Sequence, residues 1–230
     1  MTFKATQQRL LEIPARFGGS RGEATWPAAL AVIATIVLQF LLPQRLVPGV
    51  RWLLPALELA LLIPLALAAR YRHHREASWA RWLSIALIAV ANLANIYSLV
   101  LLAYFLVHGG KAGGHELILA AIDIWLTNVA VFGLWYWEID RGGPGDRTDP
   151  NDEDPPEFLF PQLQNPNIAP KNWRPVFFDY LYVSLTNAAA FSPTDTMPLS
   201  LRAKGLMSVQ SIASLLTVAL VAARAVNILS

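Results

Sequence analysis

Apolar runs close to the length that crosses a lipid bilayer constrain this chain more than any other feature. A helix spanning the hydrocarbon takes about 20 mostly apolar residues. The runs are Trp26 to Leu42 (about 17 residues), Val50 to Ala69, Trp82 to Val107, Leu117 to Trp137, and a fifth within Leu199 to Leu229. Trp26, Trp52, Trp79 and Trp82 stand at run starts, and Trp135, Tyr136 and Trp137 close the fourth. Amphipathic rings settle at membrane interfaces in this way. With 55% hydrophobic and only 15% charged residues, the 230-residue chain lacks the charged surface of a soluble domain. The expected fold is all-α, a polytopic transmembrane helix bundle of about five spans whose partner is the lipid bilayer.

Charge and composition exclude several classes. The formal net charge is +2 with basic residues spread along the chain, so there is no nucleic-acid groove. The absence of cysteine removes disulfides, thiolate metal sites and cysteine nucleophiles. Ser184, Ser192 and His73 lack a nucleophile motif around them, and no cofactor or metal motif is recognisable. The expectation is therefore not an enzyme. Residues 1–25 form a polar, basic tail, too wet for a signal peptide, and the first run reads as an anchor. Lys4, Arg9, Arg16 and Arg21 in the tail, Arg70, Arg72, Arg75 and Arg81 after the second run, and Arg141, Arg147, Lys171, Arg174, Arg202 and Lys204 after the fourth fall on one side. The other side holds only Arg45, Arg51 and Lys111, so the positive-inside rule places the tail and the long loop in the cytoplasm.

Four sections follow: the tail (1–25), a four-helix transmembrane region (26–137), a long loop (138–176) and a C-terminal segment (177–230). The loop holds eight of the 16 prolines, and eight of the 16 acidic residues lie between Glu138 and Glu157. Such a stretch forms no long helix or central strand, and RGGPGDRTDPNDEDPP should be mobile. Asp149, Asp152, Glu153 and Asp154 lack the spacing of an EF-hand and read as a solvated acidic loop. FLFPQLQNPN is apolar enough to lie against the membrane or the bundle.

Polar residues inside the runs are functional candidates, because an ionised side chain at helix centre costs about 2.5–3.5 kcal/mol on insertion scales. Glu58 lies in the second run, Asn92 and Asn95 share a face of the third, and Asp123 shares a face of the fourth with Thr127. In the fifth, Gln210, Ser214, Thr217 and Arg224 form one stripe. It is either a polar seam between packed helices or the lining of a water-filled path.

The C-terminal segment FFDYLYVSLTNAAAFSPTDTMPLSLRAKGLMSVQSIASLLTVALVAARAVNIL reads as a short apolar helix from Phe177 to about Leu185, a break, and a long apolar helix. Ser192-Pro193 and Pro198 supply the break, and Thr194, Asp195 or Thr196 the cap of the long helix. This pattern predicts a re-entrant loop before the last span.

Here the chain resembles the pore module of potassium-channel-like proteins. Tyr182, Ser184 and Thr186 match the pore helix, with Asn187, Ala188, Ala189, Ala190, Phe191, Ser192, Pro193 and Thr194 in the filter stretch. Asp195 takes the place of the acid after the filter, and Leu201 to Ile228 that of the inner helix. The resemblance implies a homo-oligomer conducting ions along its axis. The filter glycines are absent, and alanine adopts a carbonyl-ring backbone poorly, so potassium selectivity is not expected. LWYWEIDRGGP, PEFLFPQ and DYLYVSLTNAAAFSPTDTMPLS also resemble an uncharacterised bacterial integral membrane protein family, implying a multi-pass inner (plasma) membrane protein.

Three functions follow: an ion-conducting, channel-derived protein; a non-conducting membrane scaffold or sensor; and a small proton-coupled transporter using Glu58 and Asp123. No inverted repeat supports the third.

Overall fold

A computed structural model describes residues 24–41, 55–56, 59–60, 78–108, 114–144, 147, 154–165, 167, 169–170, 173–190 and 195–229. Its elements are α1 (Trp26–Leu41), α2 (Ser78–His108), α3 (Gly114–Ile139), a 3-10 turn (Asp140–Gly142), β1 (Phe158–Leu159), α4 (Pro161–Gln164), α5 (Phe177–Ala190), β2 (Met197–Pro198) and α6 (Leu201–Leu229). Among the described residues three helices are long and apolar enough to cross a membrane, spanning Arg81–His108, Glu116–Gly142 and Leu201–Arg224. The described residues are mostly helical, and these three helices fit an all-α membrane protein. The apolar helix α1 is shorter. Most of Val50–Ala69, including Glu58, lies outside the described residues.

α3 is the trunk: α1, α2, α5 and α6 all pack on it. Within its most apolar stretch 72% is buried, against 44% for α2 and 22% for α6. α2 runs antiparallel to α3, with Ile88 in one cluster with Phe132 and Leu102 in another with Leu117, and Asn95 Nδ2 donates to the Ile124 carbonyl at 3.3 Å. Two apolar clusters run along the trunk. One gathers Val32 and Ile36, Ile88, Phe132, Tyr136, Trp137, Phe158, Tyr180 and Met207; the other gathers Leu99, Leu102, Leu117, Ala120, Ile124 and Ala213. Outward faces are also apolar, as lipid requires: Leu93 and Val100 on α2, and Leu201, Ile212 and Leu215 on α6, are more than half exposed.

α5 runs antiparallel to α3. Its Phe177 ring meets Trp137 edge-on at 5.8 Å, and two turns on Ser184 Oγ donates to the Val129 carbonyl at 2.6 Å. The contact is close because Gly133 has no side chain. A Cβ there would lie 3.1 Å from Leu181 Cδ1 and 3.3 Å from Leu181 Cα. α1 enters at the same end, where Trp26 lies edge-on to Phe178.

Three local expectations are corrected. The short helix does not stop near Leu185 but continues to Ala190, because three alanines are among the best helix formers and nothing breaks the ladder before Ser192-Pro193. Thr186, Asn187, Ala188, Ala189 and Ala190 are therefore helical rather than an extended filter. Phe191, Ser192, Pro193 and Thr194 lie outside the described residues. The cap of α6 is Ser200, whose Oγ accepts the Ala203 N–H at 3.0 Å, not Thr194, Asp195 or Thr196. Arg147, expected to be mobile, is 7% exposed.

Gly133→Val should separate α3 from α5 and destabilise the protein by about 1–3 kcal/mol, measured as denaturant unfolding in detergent micelles. An unchanged midpoint would show that the two helices are not held at this distance.

Candidate functional site

Where α3 ends, the backbone turns through three left-handed residues, Arg141 (φ 48°), Gly142 (φ 73°) and Gly143 (φ 94°). A Cβ on Gly143 would lie 3.1 Å from the Glu138 carbonyl oxygen, so glycine is required there. The turn carries Asp140 into the interior, 1% exposed, and brings Arg147 back over it.

Asp140 is satisfied from three stretches of chain. Its Oδ1 accepts the N–H of Glu157 at 2.7 Å and that of Phe158 at 3.3 Å, and its Oδ2 accepts the Tyr180 hydroxyl at 2.6 Å. Arg147 Nη1 stands 3.7 Å from the same Oδ2. The guanidinium also donates to the Tyr180 oxygen at 2.5 Å and to the Trp137 carbonyl at 2.9 Å. It lies over the Tyr180 ring at 4.9 Å. Phe158 and Phe160 pack on Tyr180 edge-on at 6.3 and 5.4 Å. β1 then pairs antiparallel with β2, Phe158 opposite Pro198 and Leu159 opposite Met197, and the Leu199 N–H donates to the Glu157 carbonyl at 2.8 Å. Ser200 Oγ donates to the Glu157 carboxylate as well as capping α6.

A second polar group lies deeper, between α3, α5 and α6. Gln210, fully buried, uses both ends of its amide. Oε1 accepts from the Tyr136 hydroxyl at 2.6 Å and Asn187 Nδ2 at 2.8 Å; Nε2 donates to the Ser184 carbonyl at 3.0 Å and Ser184 Oγ at 2.7 Å. Asn187 Nδ2 also donates to the Met207 carbonyl at 3.0 Å, and its Oδ1 accepts from Ser211 at 3.1 Å. One turn along α6, Ser214 accepts from Asn128 at 2.9 Å, and Thr217 donates to the Ala213 carbonyl at 2.8 Å.

The stripe Gln210, Ser214 and Thr217 is thus buried, while Arg224 at its end is half-buried. The Asn187 of the filter stretch belongs to this group; Ala188 is buried in packing, and Ala189, Ala190 and Asp195 are exposed. Asn92, Asn95, Asp123 and Thr127 are buried on α2 and α3, and Asn95 has the bond to α3 given above. Asp140, Arg147, Tyr180, Tyr136 and Ser211 were not singled out from sequence as parts of one site. The available signal was an acid set immediately before Arg-Gly-Gly at the end of an apolar run. Among the described residues no group of three or more His, Cys, Asp or Glu could hold a metal ion.

No family model, curated protein or solved structure matches the chain.

Arg147→Met leaves the buried Asp140 carboxylate without its cation and should cost about 3–5 kcal/mol in micelle unfolding, whereas Arg147→Met combined with Asp140→Leu should recover part of that loss. Equal losses in the two variants would mean that the charges are not coupled. Burial pushes the Glu157 carboxyl up, opposed by the charge of Arg202 and aided by that of Asp140. The folded state therefore holds this proton more tightly than the unfolded state. Its contribution is complete below the ordinary glutamate value and is lost as pH rises through the raised one. The thermal midpoint should fall across that window, and Glu157→Gln should flatten the slope. A midpoint that rises there in the wild type, or a slope unchanged by the substitution, would contradict this sign.

Proposed function

We propose that the protein is a non-conducting membrane scaffold or sensor of the bacterial inner (plasma) membrane, with its N-terminal tail and long loop in the cytoplasm. The observation that carries this reading is the saturation of Gln210. Both ends of its amide are bonded to protein, and its partners Ser184, Asn187 and Tyr136 bond one another's helices in turn. A wall that lines a water-filled path keeps bonding capacity free for water and ions. A stripe closed on itself favours a seam.

In this reading α5 is a re-entrant plug. Its 14 residues extend about 21 Å, short of the roughly 30 Å hydrocarbon. It starts beside Trp137, and β2, which follows it, pairs with β1 at that same end. The likeness to a potassium-channel pore module is then one of architecture and ancestry. Arg81, Arg141, Arg147, Arg174, Arg202 and Lys204 all lie near the helix ends gathered there, which supports a cytoplasmic placement. The outer face of α6 would meet lipid or a second copy in a homo-oligomer.

The second reading is a conducting path on the axis of that homo-oligomer. The exposure of Ala189 and Ala190 at the inner end of α5 favours it, because an axis needs surface that a single chain does not cover.

Liposomes holding the folded, inserted protein should release potassium, sodium and chloride no faster than empty ones. Flux above that level, altered by Asp195→Asn and Thr217→Val, would overturn the scaffold reading and support the axial path.

A further inference from the structure

Asp123 takes no part in either polar group. It sits on α3, the helix that every other long helix covers, and it is 6% exposed. Neither carboxylate oxygen has a hydrogen-bond partner among the described residues. This sets it apart from Asp140, the other buried aspartate of the trunk, which receives two N–H groups, a hydroxyl and a guanidinium. A bare carboxylate in such a place costs several kcal/mol.

Two further buried acceptors on α2 and α3 lack partners among the described residues, while the Trp125 indole N–H, two residues on from Asp123, is an unpartnered donor. The acceptors are Asn92 Oδ1 on α2 and Asn128 Oδ1 on α3. The bond from Asn95 to the Ile124 carbonyl brings Asn92 on α2 level with the Thr127–Asn128 turn of α3. All four orphan atoms on these three residues are acceptors. Acceptors left over in a buried contact call for a proton, a cation or another donor, not for an anion or more acceptors.

Among the described residues no positively charged side chain is placed to do this; on α3 itself the other described titratable side chains are Glu116, Tyr136 and Glu138. α1 contains no titratable residue. On α2 the titratable groups are Arg81 near one end, Tyr97 and Tyr104, both about half exposed, and His108, whose Nδ1 lies 3.0 Å from the Tyr104 carbonyl at the other end. On α5 they are Asp179, Tyr180 and Tyr182, with Tyr180 bonded to Asp140. On α6 they are Arg202 and Lys204 in the first turn and Arg224 beyond Thr217. None of them forms an ion pair with Asp123 among the described residues.

We propose that Asp123 is the binding site for a small monovalent cation, a proton or an alkali ion, in the contact that α3 makes with its neighbours. The occupant neutralises the carboxylate and supplies the positive partner that the described residues do not. The site would give the protein something to sense, although the inference stands on Asp123 alone and holds whether or not the bundle conducts.

The test is infrared difference spectroscopy of the full chain in lipid bilayers, wild type against Asp123→Asn, in choline buffer and then with sodium or potassium added. Asp123→Ser serves as a second reference should the asparagine variant misfold. A protonated-carboxyl band present in wild type, absent from the variants, and reversibly lost on alkalinisation would assign a proton. Conversion of the Asp123 signal to carboxylate at constant pH on adding sodium or potassium would assign an alkali ion. A carboxylate signal in choline buffer that neither cation changes, or a protonated band that no pH or cation moves before unfolding, would overturn the proposal. Conduction is read separately by flux, so failure here leaves that question untouched.

Discussion

A single buried carboxylate organises the end of the bundle where four helices meet the long loop. Asp140 is placed in the interior by the left-handed turn that ends α3, and it cannot stay there unpaired. The groups that satisfy it come from the loop (Arg147), from the strand-like stretch (Glu157 and Phe158) and from α5 (Tyr180). Satisfying one charge therefore docks three segments that are distant in sequence. The β1–β2 pair and the Ser200 cap extend the same docking to the start of α6. Arg147, Glu157 and Phe158 of the proline-rich, acidic loop are held by this contact.

From that anchor the trunk helix passes its partners to the deeper seam. Membrane helices gain little from burying apolar surface against one another, since lipid is equally apolar; close packing and internal hydrogen bonds do the work. Gly133 supplies the close packing with α5, and Gln210, Asn187, Ser184 and Tyr136 supply the bonds. Each polar atom in the seam would be a liability alone, and together they specify which face of α6 meets α3 and α5. Asp123 and its orphan neighbours stand outside this scheme, and that contrast gives them interest.

Much of the architecture was legible in the sequence, because a bilayer leaves few choices. The runs Trp82 to Val107 and Leu117 to Trp137 correspond to α2 and α3 within a few residues, since length and apolarity decide a span. The stripe Gln210, Ser214 and Thr217 could be seen from spacing on one helix. Its partners could not, because periodicity says which side of a helix is polar and nothing about which helix faces it. The Asp140–Arg147 contact was hidden for a different reason. Arg147 lies in a run of Gly, Pro and Asp that composition reads as solvated, and only the turn at Arg141–Gly143 reverses it onto the trunk. The end of α5 lies beyond Leu185 because Thr186 and Asn187 end the apolar run without ending the helix, which the three alanines continue to Ala190.

The central claim is that the stripe on α6 is a dry seam locked between helices. The chain has no cysteine, so single cysteines can be read without background. Water-soluble thiol reagents would be applied to membranes bearing Ser184→Cys, Ser214→Cys or Thr217→Cys, with Asp195→Cys, exposed and outside the helices, as a control. The account predicts modification of the control and none at the three seam positions until the protein is unfolded. Rapid modification of the seam positions in the folded protein would show that water reaches the stripe, and the seam would have to be given up for a path.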